Sequence, residues 1–443
     1  MIEKTRTLIE KYLKQLNVKK WDVLINKIQT LENQFRGLKV EITRDYEIIN
    51  YNIRIFNDRN ENMGIGIVKG SSLNEKIIED SIIHAKKMAQ INSTDKYELT
   101  PPGKKYKSLN LAEKIILSDP FEFLQNTSEK LTSEISNHKN VDATFGKFRI
   151  YIHNKKLINN LDLDLDSEST SLFIEYAIKS ELNGELAEYW AKSHYKNSNQ
   201  LKLDTRVAKW AKIASDTLKA KHPQSNKSTI VLFPPIVLKD AFRNTLGYHI
   251  TGKSKVEKIS RITVGEKFAL ESLSMNDNGI IDGGLGSNSW DGEGIPQRNK
   301  VIIENGIFKS RIYDLKHAKL LNNKSTGNGI RTSAGSIENS YTNLEILPGT
   351  EKLEDMISQI SDGIIIEEFS WLNPNKITGD FGAEIRNGYM IKKGKIGEPI
   401  KGGNLSGNIF EMVNNILNIS IEREFEENTL FPYIVCKDLI LSS

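Results

Sequence analysis

The second half of the chain carries a series of short hairpin signals, and these constrain its fold more than any other feature. Asn305-Gly306 lies between the runs VIIE and IFKSRIY, Asn387-Gly388 lies between AEIR and YMIKK, and Lys393-Gly394 follows closely. An Asn-Gly pair between two strand-like runs is the strongest short-range signal for a β-hairpin. We therefore predict a β-rich, antiparallel C-terminal domain over residues 228–443, with a few helices packed on its sheet.

The first half of the chain alternates helical and strand-like patterns. A helix, several strands and a second helix predict an N-terminal α+β domain over residues 1–93, followed by a polar, proline-bearing connector. A helix that begins at Asp119-Pro120 and the strand-like runs after it predict a middle domain over residues 110–222. The predicted fold class is therefore α+β, with N-terminal and middle segments that can form one lobe before the C-terminal domain.

Composition and charge limit the classes of binding partner and the cellular compartment that we expect for this chain. The net charge is +4 and no long block of Lys or Arg occurs, which argues against nucleic acid as a partner. No apolar run approaches the length of a membrane span, so we expect no membrane partner. The single cysteine, Cys436, excludes a disulfide framework and suits a reducing compartment. The N-terminal stretch lacks the continuous apolar core of a signal peptide. These observations predict a cytoplasmic, globular protein.

The stretch IVLKDAFRNTLGYHITG, residues 236–252, has apolar residues at helical spacing and predicts a helix with one buried face. In a zinc peptidase such a helix carries two histidines and a glutamate, because zinc needs convergent ligands and its water needs a base. The polar positions here are Arg243, Asn244 and Tyr248. No two histidines of the chain lie three to five residues apart. We therefore predict that this chain has no metal site and no catalytic residue.

Three glycine-rich polar stretches contain the candidate binding residues. They are IDGGLGSNSWDGEGIP (281–296), KSTGNGIRTSAGS (324–336) and KITGDFGAEIRNG (376–388). Glycine permits close approach of the backbone to a ligand, but it also serves ordinary tight turns, so both interpretations stay open. In the first interpretation, the residues that bind a peptide or form a chamber wall are Asp291, Glu293, Asn328, Arg331 and Asp380.

The motifs WDGEGIP, STGNGIR, TGDF and NGYMIKKGKIGEPIKGGNLSGN follow one another in an order and spacing that resemble the TldD/PmbA family, also called the modulator of DNA gyrase family. The TldD branch carries HExxxH on a helix and is a zinc peptidase, whereas the PmbA branch, also called TldE, lacks that motif and pairs with a TldD subunit. The resemblance places Arg243 and Asn244 at the first histidine and the glutamate, and Tyr248 at the second histidine. It therefore implies the PmbA/TldE-like branch and a PmbA/TldD-like fold.

This resemblance implies a metal-free, non-catalytic subunit of a metallopeptidase complex that processes unfolded or extended peptides. Zinc is then expected in a TldD-type partner within a heterodimer, while a homodimer stays open. One alternative is a stand-alone hydrolase that uses Cys436, Asp291, Glu293 or His249. Another alternative is a DNA- or gyrase-associated regulator.

Overall fold

The computed structural model describes residues 1–443 and divides them into two lobes, each built on one large sheet. The N-terminal lobe contains a seven-stranded sheet in the order β4-β3-β2-β1-β5-β6-β7, and every neighbouring pair in it is antiparallel. Its elements are α1 (Ile2–Gln15), β1 (Lys20–Arg36), β2 (Lys39–Arg59), β3 (Asn62–Gly70), α2 (Glu75–Ile91), β4 (Thr94–Asp95), α3 (Lys114–Ser118), α4 (Pro120–Ser136), β5 (Val141–Asn159), β6 (Asp164–Leu182), β7 (Glu185–Tyr195) and α5 (Leu203–Thr217).

The first two predicted segments share this sheet. Strand β1 pairs with β2 on one side and with β5 on the other, so residues 1–93 and 110–222 contribute to one continuous structure. The connector between them therefore joins two parts of the same lobe. Strand β7 forms one end of the sheet and pairs only with β6, which leaves its other edge without a strand neighbour.

The helices of this lobe begin where the sequence supplies side-chain caps. Asn74 accepts hydrogen bonds from the backbone N–H groups of Lys76 and Ile77 at the start of α2. Asp119 accepts from the N–H of Glu122 at 2.8 Å and starts α4, as the sequence predicted. Helix α2 packs closely on β3, because a Cβ at Gly66 would overlap the carbonyl oxygen of Ala85.

The C-terminal lobe is built on an eleven-stranded sheet that is mostly antiparallel, with parallel pairs only between β14 and β20 and between β8 and β15. Strands β12 and β13 form a separate hairpin. The elements are β8 (Asn226–Phe233), α6 (Pro235–His249), α7 (Gly252–Val256), β9 (Met275–Asn278), β10 (Asn299–Glu304), β11 (Ile307–Phe308), α8 (Leu315–Leu320), β12 (Gly329–Arg331), β13 (Ile337–Asn339), β14 (Leu344–Ile346), α9 (Leu353–Ser358), β15 (Asp362–Phe369), β16 (Asp380–Lys392), β17 (Lys395–Ile400), β18 (Asn404–Asn408), α10 (Ile409–Met412), β19 (Ile416–Glu426) and β20 (Thr429–Ser442). The predicted α+β class and the β-rich C-terminal part are confirmed.

Two of the three predicted hairpin turns are present. Asn305 and Gly306 have φ values of 48° and 75° and connect β10 to β11. Lys393 and Gly394 have φ values of 52° and 73° and connect β16 to β17. Positive φ at both central residues is the geometry that a type I′ turn requires.

The third hairpin prediction, at Asn387-Gly388, is wrong. Strand β16 runs through both residues, and its pairing with β15 shifts register beside them. The Asn387 side chain is buried and donates to Thr217 Oγ1 at 2.6 Å. A Cβ at Gly388 would lie 2.5 Å from the carbonyl oxygen of Ile365. The Asn-Gly pair therefore marks a bulge with close backbone approach rather than a turn.

Helix α6 lies at the centre of the C-terminal lobe and faces the boundary between the lobes. It begins after Pro234, which ends β8 and cannot continue the ladder. Leu238, Phe242 and Leu246 recur at helical spacing and are fully buried in the core of the lobe. The opposite side of the helix is left free to line a cleft.

None of the helices is both long and apolar enough to cross a membrane.

Candidate functional site

A cleft of about 690 Å³ opens between the two lobes. Strand β7 and helix α5 supply the wall on the N-terminal lobe, while α6, the end of β15 and the turn between β19 and β20 supply the opposite wall. Its lining contains large aromatic side chains from both lobes. These include Trp190 and Trp210 from the first lobe, and Trp371, Phe425 and Tyr433 from the second.

Two of the three positions where a zinc peptidase would carry its motif lie on this cleft. Arg243 pairs with Asp240 at 3.0 Å and also with Glu427, so its charge is held on the α6 wall. Asn244 donates to Asn373 Oδ1 at 3.3 Å on the same wall. The Glu427 and Asn373 contacts tie the exposed side of α6 to the β19–β20 turn and to the loop after β15.

The third motif position, Tyr248, contacts residues outside the cleft. The Tyr248 hydroxyl donates to Glu257, and the Lys376 ammonium lies 4.3 Å from the centre of the Tyr248 ring. Tyr248 does not line the cleft. Burial raises the pKa of this hydroxyl above its usual range, and the Glu257 carboxylate adds to that effect.

These residues do not fit a zinc ion. An arginine guanidinium has donors only and cannot give a lone pair to a metal, and its positive charge repels a cation. No group of three or more His, Cys, Asp or Glu side chains is arranged to hold a metal ion. The α6 wall therefore presents an arginine paired with two carboxylates, and an amide, in place of metal ligands.

The floor of the cleft contains buried carboxylates with basic partners. Glu367 Oε2 lies 2.7 Å from Lys209 Nζ, which joins β15 to α5. Glu426 Oε1 lies 3.5 Å from Arg206 Nη1, and Glu426 Oε2 accepts from Ser193 at 2.9 Å. Burial raises the pKa of Glu426, and the Arg206 charge works against that rise. The ion pairs thus connect the two walls across the base of the cleft.

Among the carboxyls of the cleft, Glu368 is the one best suited to act either as a hydrogen-bond donor or as an acceptor. Burial raises its pKa to about 7, although Arg386 at 3.7 Å lowers it. Its Oε2 atom is buried and has no hydrogen-bond partner. A carboxyl with a pKa near neutrality can accept from an N–H group or donate to a carbonyl. Nothing in the run IIIEEFSW distinguishes this residue from an ordinary strand end, so sequence reasoning missed it.

The predicted site residues Asp291 and Glu293 lie inside the protein, away from the cleft. Asp291 accepts hydrogen bonds from the backbone N–H groups of Glu293, Ile295 and Gly329, each at 2.9 Å. Burial raises the pKa of both carboxyls above their usual values. Through its hydrogen bonds, Asp291 joins the first glycine-rich stretch to the second. This contact favours the interpretation of both stretches as structural turns.

Arg331 belongs to a buried group of charges that joins the lobes, which we call the interlobe ion cluster and define as Asp22, Arg54, Glu293 and Arg331. Asp22 Oδ1 accepts from Arg54 Nε at 3.0 Å and from both terminal nitrogens of Arg331 at 3.0 Å. Glu293 Oε1 lies 3.8 Å from Arg54 Nη1. Burial alone would raise the pKa of Asp22, but Arg331 and Arg54 hold it below its usual value.

Asn328 is also an interior residue. Its amide nitrogen donates to Asp277 Oδ2 at 2.6 Å, and its oxygen accepts from Thr326 at 2.7 Å. Lys300 lies 2.9 Å from the same Asp277 carboxylate, so the three side chains form a buried polar network. This network fixes the second glycine-rich stretch against β9 and β10.

Asp380 is the one exposed residue among the five candidates, and it lies apart from the others. It begins β16 and accepts from Asn408 Nδ2 at 2.6 Å. The loop before it contacts the end of α6, where the Lys376 carbonyl lies 3.0 Å from His249 Nε2. The structure therefore brings the first two glycine-rich stretches together and places the third at the C-terminal end of α6. None of the five candidates lines the cleft.

The remaining hydrolase candidates, His249 and Cys436, are buried residues of the protein core. His249 is fully buried, and its second ring nitrogen accepts from the Arg261 N–H at 3.1 Å. Cys436 is fully buried in β20, and burial raises the pKa of its thiol to about 12. A thiol in that state is a poor nucleophile. The geometry therefore does not favour the stand-alone hydrolase.

Comparisons with known proteins agree on one family. The model described as PmbA/TldA metallopeptidase C-terminal domain matches residues 226–443. The chain is 32% identical over 241 residues to the Metalloprotease TldD homolog of Buchnera aphidicola subsp. Acyrthosiphon pisum, covering 52% of this chain and 49% of that protein. It is 28% identical over 236 residues to the Metalloprotease PmbA homolog of the same organism, covering 53% and 49%. The chain thus spans about half the length of these curated relatives.

The fold itself is similar to a solved structure over nearly its whole length. The crystal structure of TldE from Thermococcus kodakarensis superposes with a TM-score of 0.87 at 21% identity, covering 99% of this chain and 100% of that one. This likeness confirms the predicted fold. The family model and the curated relatives match this chain by sequence as well. The C-terminal part of the chain, residues 226–443, belongs to the PmbA/TldD family of metallopeptidase-related proteins.

Proposed function

We propose that this chain is a metal-free, TldE-like subunit of a cytoplasmic metallopeptidase complex, in which a TldD-type partner supplies the zinc. The observation that carries the proposal is the α6 wall of the cleft. Where a zinc peptidase of this family would carry histidine and glutamate, Arg243 and Asn244 face the cleft and are tied to Asp240, Glu427 and Asn373.

The role of the cleft in this proposal is to hold an extended peptide. Strand β7 lines the cleft and has an edge without a strand neighbour, so its backbone can pair with an added strand. Main-chain pairing gives affinity without selecting a sequence, which suits the processing of unfolded or extended peptides. The aromatic side chains and the carboxyls with raised pKa offer contacts for apolar side chains and for main-chain groups of either kind.

The partner is tested by recovering the complex from the source cells. A tagged chain purified gently from its native host should bring with it a second subunit, in equal amount, whose sequence contains HExxxH. An untagged lysate passed over the same resin is the control for non-specific capture. Recovery of the tagged chain alone, or only with further copies of itself, would contradict the heterodimer. A DNA- or gyrase-associated role stays a prediction that a salt-sensitive gel shift would test.

A further inference from the structure

Three basic side chains lie on one face of the N-terminal sheet, and none of them forms an ion pair with a carboxylate. His153 and Lys155 are two residues apart on β5, so they point to the same face. Lys196 directly follows β7, and the register of β7 with β6 and of β6 with β5 brings it to that face. Burial lowers the pKa of His153 to about 4, and the positive charges of Lys155 and Lys196 contribute to this lowering, so the three groups lie within electrostatic reach of one another.

None of these side chains has a partner for its nitrogen. Lys196 is only 8% exposed, yet its ammonium makes no hydrogen bond and no ion pair. The Lys155 ammonium is equally without a partner, and burial lowers its pKa. The Nδ1 atom of His153 is buried and has no hydrogen bond. Burying a charge without a counter-charge is costly. Lys196 is buried and Lys155 is half-buried, so this face carries an excess of unpaired positive charge.

The surroundings of the three side chains supply further hydrogen-bonding groups. Ser167 and Ser169 on β6 stand directly opposite Lys155 and His153 in the sheet. Across β1, the Asn26 side chain stands opposite Lys155, and its oxygen is buried without a partner. The first glycine-rich stretch covers this face, because Asn288 Oδ1 accepts from Ser167 Oγ at 3.3 Å.

One carboxylate reaches the cluster electrostatically but does not neutralise it. The charge of Glu113 raises the pKa of Lys196, which burial and Lys155 nevertheless hold at about 8. Glu113 forms no ion pair with Lys196, and its two oxygens accept instead from the N–H and the hydroxyl of Ser198 at 2.8 Å each. Lys155 and Lys196 therefore remain available to a ligand.

We infer that His153, Lys155 and Lys196, with the serines of β6, form a binding site for a small oxyanion between the N-terminal sheet and the first glycine-rich stretch. The ligand chemistry is a group of anionic oxygens that accepts hydrogen bonds from two ammonium groups and a hydroxyl. Free phosphate and the terminal carboxylate of a peptide both have this chemistry. The site lies outside the cleft lining and does not depend on the proposed function.

The test is a calorimetric titration of the full chain at pH 7 with three probes. These are inorganic phosphate, an N-acetylated tripeptide with a free C-terminal carboxylate, and the same tripeptide with an amidated C-terminus. The variant is Lys155→Met/Lys196→Met, and the control is Lys147→Met, also on β5, whose ammonium already has a carboxylate, Glu175, at 3.9 Å. We expect phosphate or the free carboxylate to bind saturably, the amide not to bind, and the double variant to lose about tenfold or more in affinity.

The stability of the variant gives a second readout that does not depend on the ligand. In anion-free buffer the double variant should be at least as stable to heat as the natural chain, since it no longer buries unpaired charge. Phosphate should then raise the melting temperature of the natural chain and of Lys147→Met, but not that of the double variant. Absence of saturable binding by the natural chain, or equal affinity in the double variant, would overturn the inference. Phosphate binding without carboxylate binding would identify the free anion as the ligand.

Discussion

Replacing Asp22 with alanine should lower the free energy of unfolding by about 3–5 kcal/mol, the cost of breaking a buried ion pair by removing one partner. Asp22 is the acceptor for both Arg54 and Arg331, so the variant leaves two buried guanidinium groups without their carboxylate. Glu293, the other acid of the interlobe ion cluster, pairs with Arg54 at 3.8 Å but accepts no hydrogen bond from either arginine, so it does not replace Asp22. Urea denaturation, followed by tryptophan fluorescence, measures the loss.

The matched control is Asp58→Ala on β2. Asp58 also has two basic partners, Lys20 at 3.2 Å and Lys96 at 3.0 Å, but all of these groups reach solvent. An exposed ion pair contributes about 0–1 kcal/mol, so the control should unfold at nearly the same urea concentration as the natural chain. Equal effects of the two substitutions would show that the interlobe ion cluster does not stabilise the contact between the lobes.

Replacing Trp371 with alanine should weaken peptide binding by the reconstituted complex about tenfold while leaving stability almost unchanged. Trp371 follows β15 at the mouth of the cleft, and 76% of its surface is exposed. An exposed side chain loses little burial when it is truncated, so the folded state has little to lose. A tryptophan that becomes buried against a ligand is, by contrast, a typical centre of binding energy.

Ile91→Ala is the control for this prediction, because Ile91 is 75% exposed and ends α2 outside the cleft. Fluorescence anisotropy of a labelled, extended peptide measures the affinity, and thermal denaturation measures the stability. We expect the control to match the natural chain in both. An unchanged affinity for Trp371→Ala would show that peptides do not use the mouth of this cleft.

The parts of the fold that sequence analysis predicted are those that depend on nearby residues. Turns such as Asn305-Gly306 and helix starts such as Asp119 are determined by a few neighbouring positions, and both are present in the structure. The Asn387-Gly388 prediction failed because the same dipeptide serves a bulge when another strand approaches closely. The local pattern contains no information about that approach.

The surroundings of the candidate site residues were harder to predict because their partners lie far away in the chain. Arg331 is 309 residues from Asp22, so the sequence could not show that these two side chains form an ion pair. The cleft combines β7 and α5 with α6 and the end of β15, and no single stretch shows that they meet. The α6 positions Arg243 and Asn244 were recognisable, because the resemblance to a zinc-peptidase helix concerns a local pattern.

The most direct test of the account is the zinc content and peptide cleavage of the purified chain, alone and after mixing with an equal amount of a TldD-type subunit. Elemental analysis measures the metal, and cleavage of an unfolded peptide is followed with and without a chelator. We expect the chain alone to hold far less than one zinc per molecule and to cleave nothing, and the mixture to cleave in a chelator-sensitive manner. About one tightly bound zinc per chain, together with cleavage by the chain alone, would contradict the assignment of a metal-free subunit.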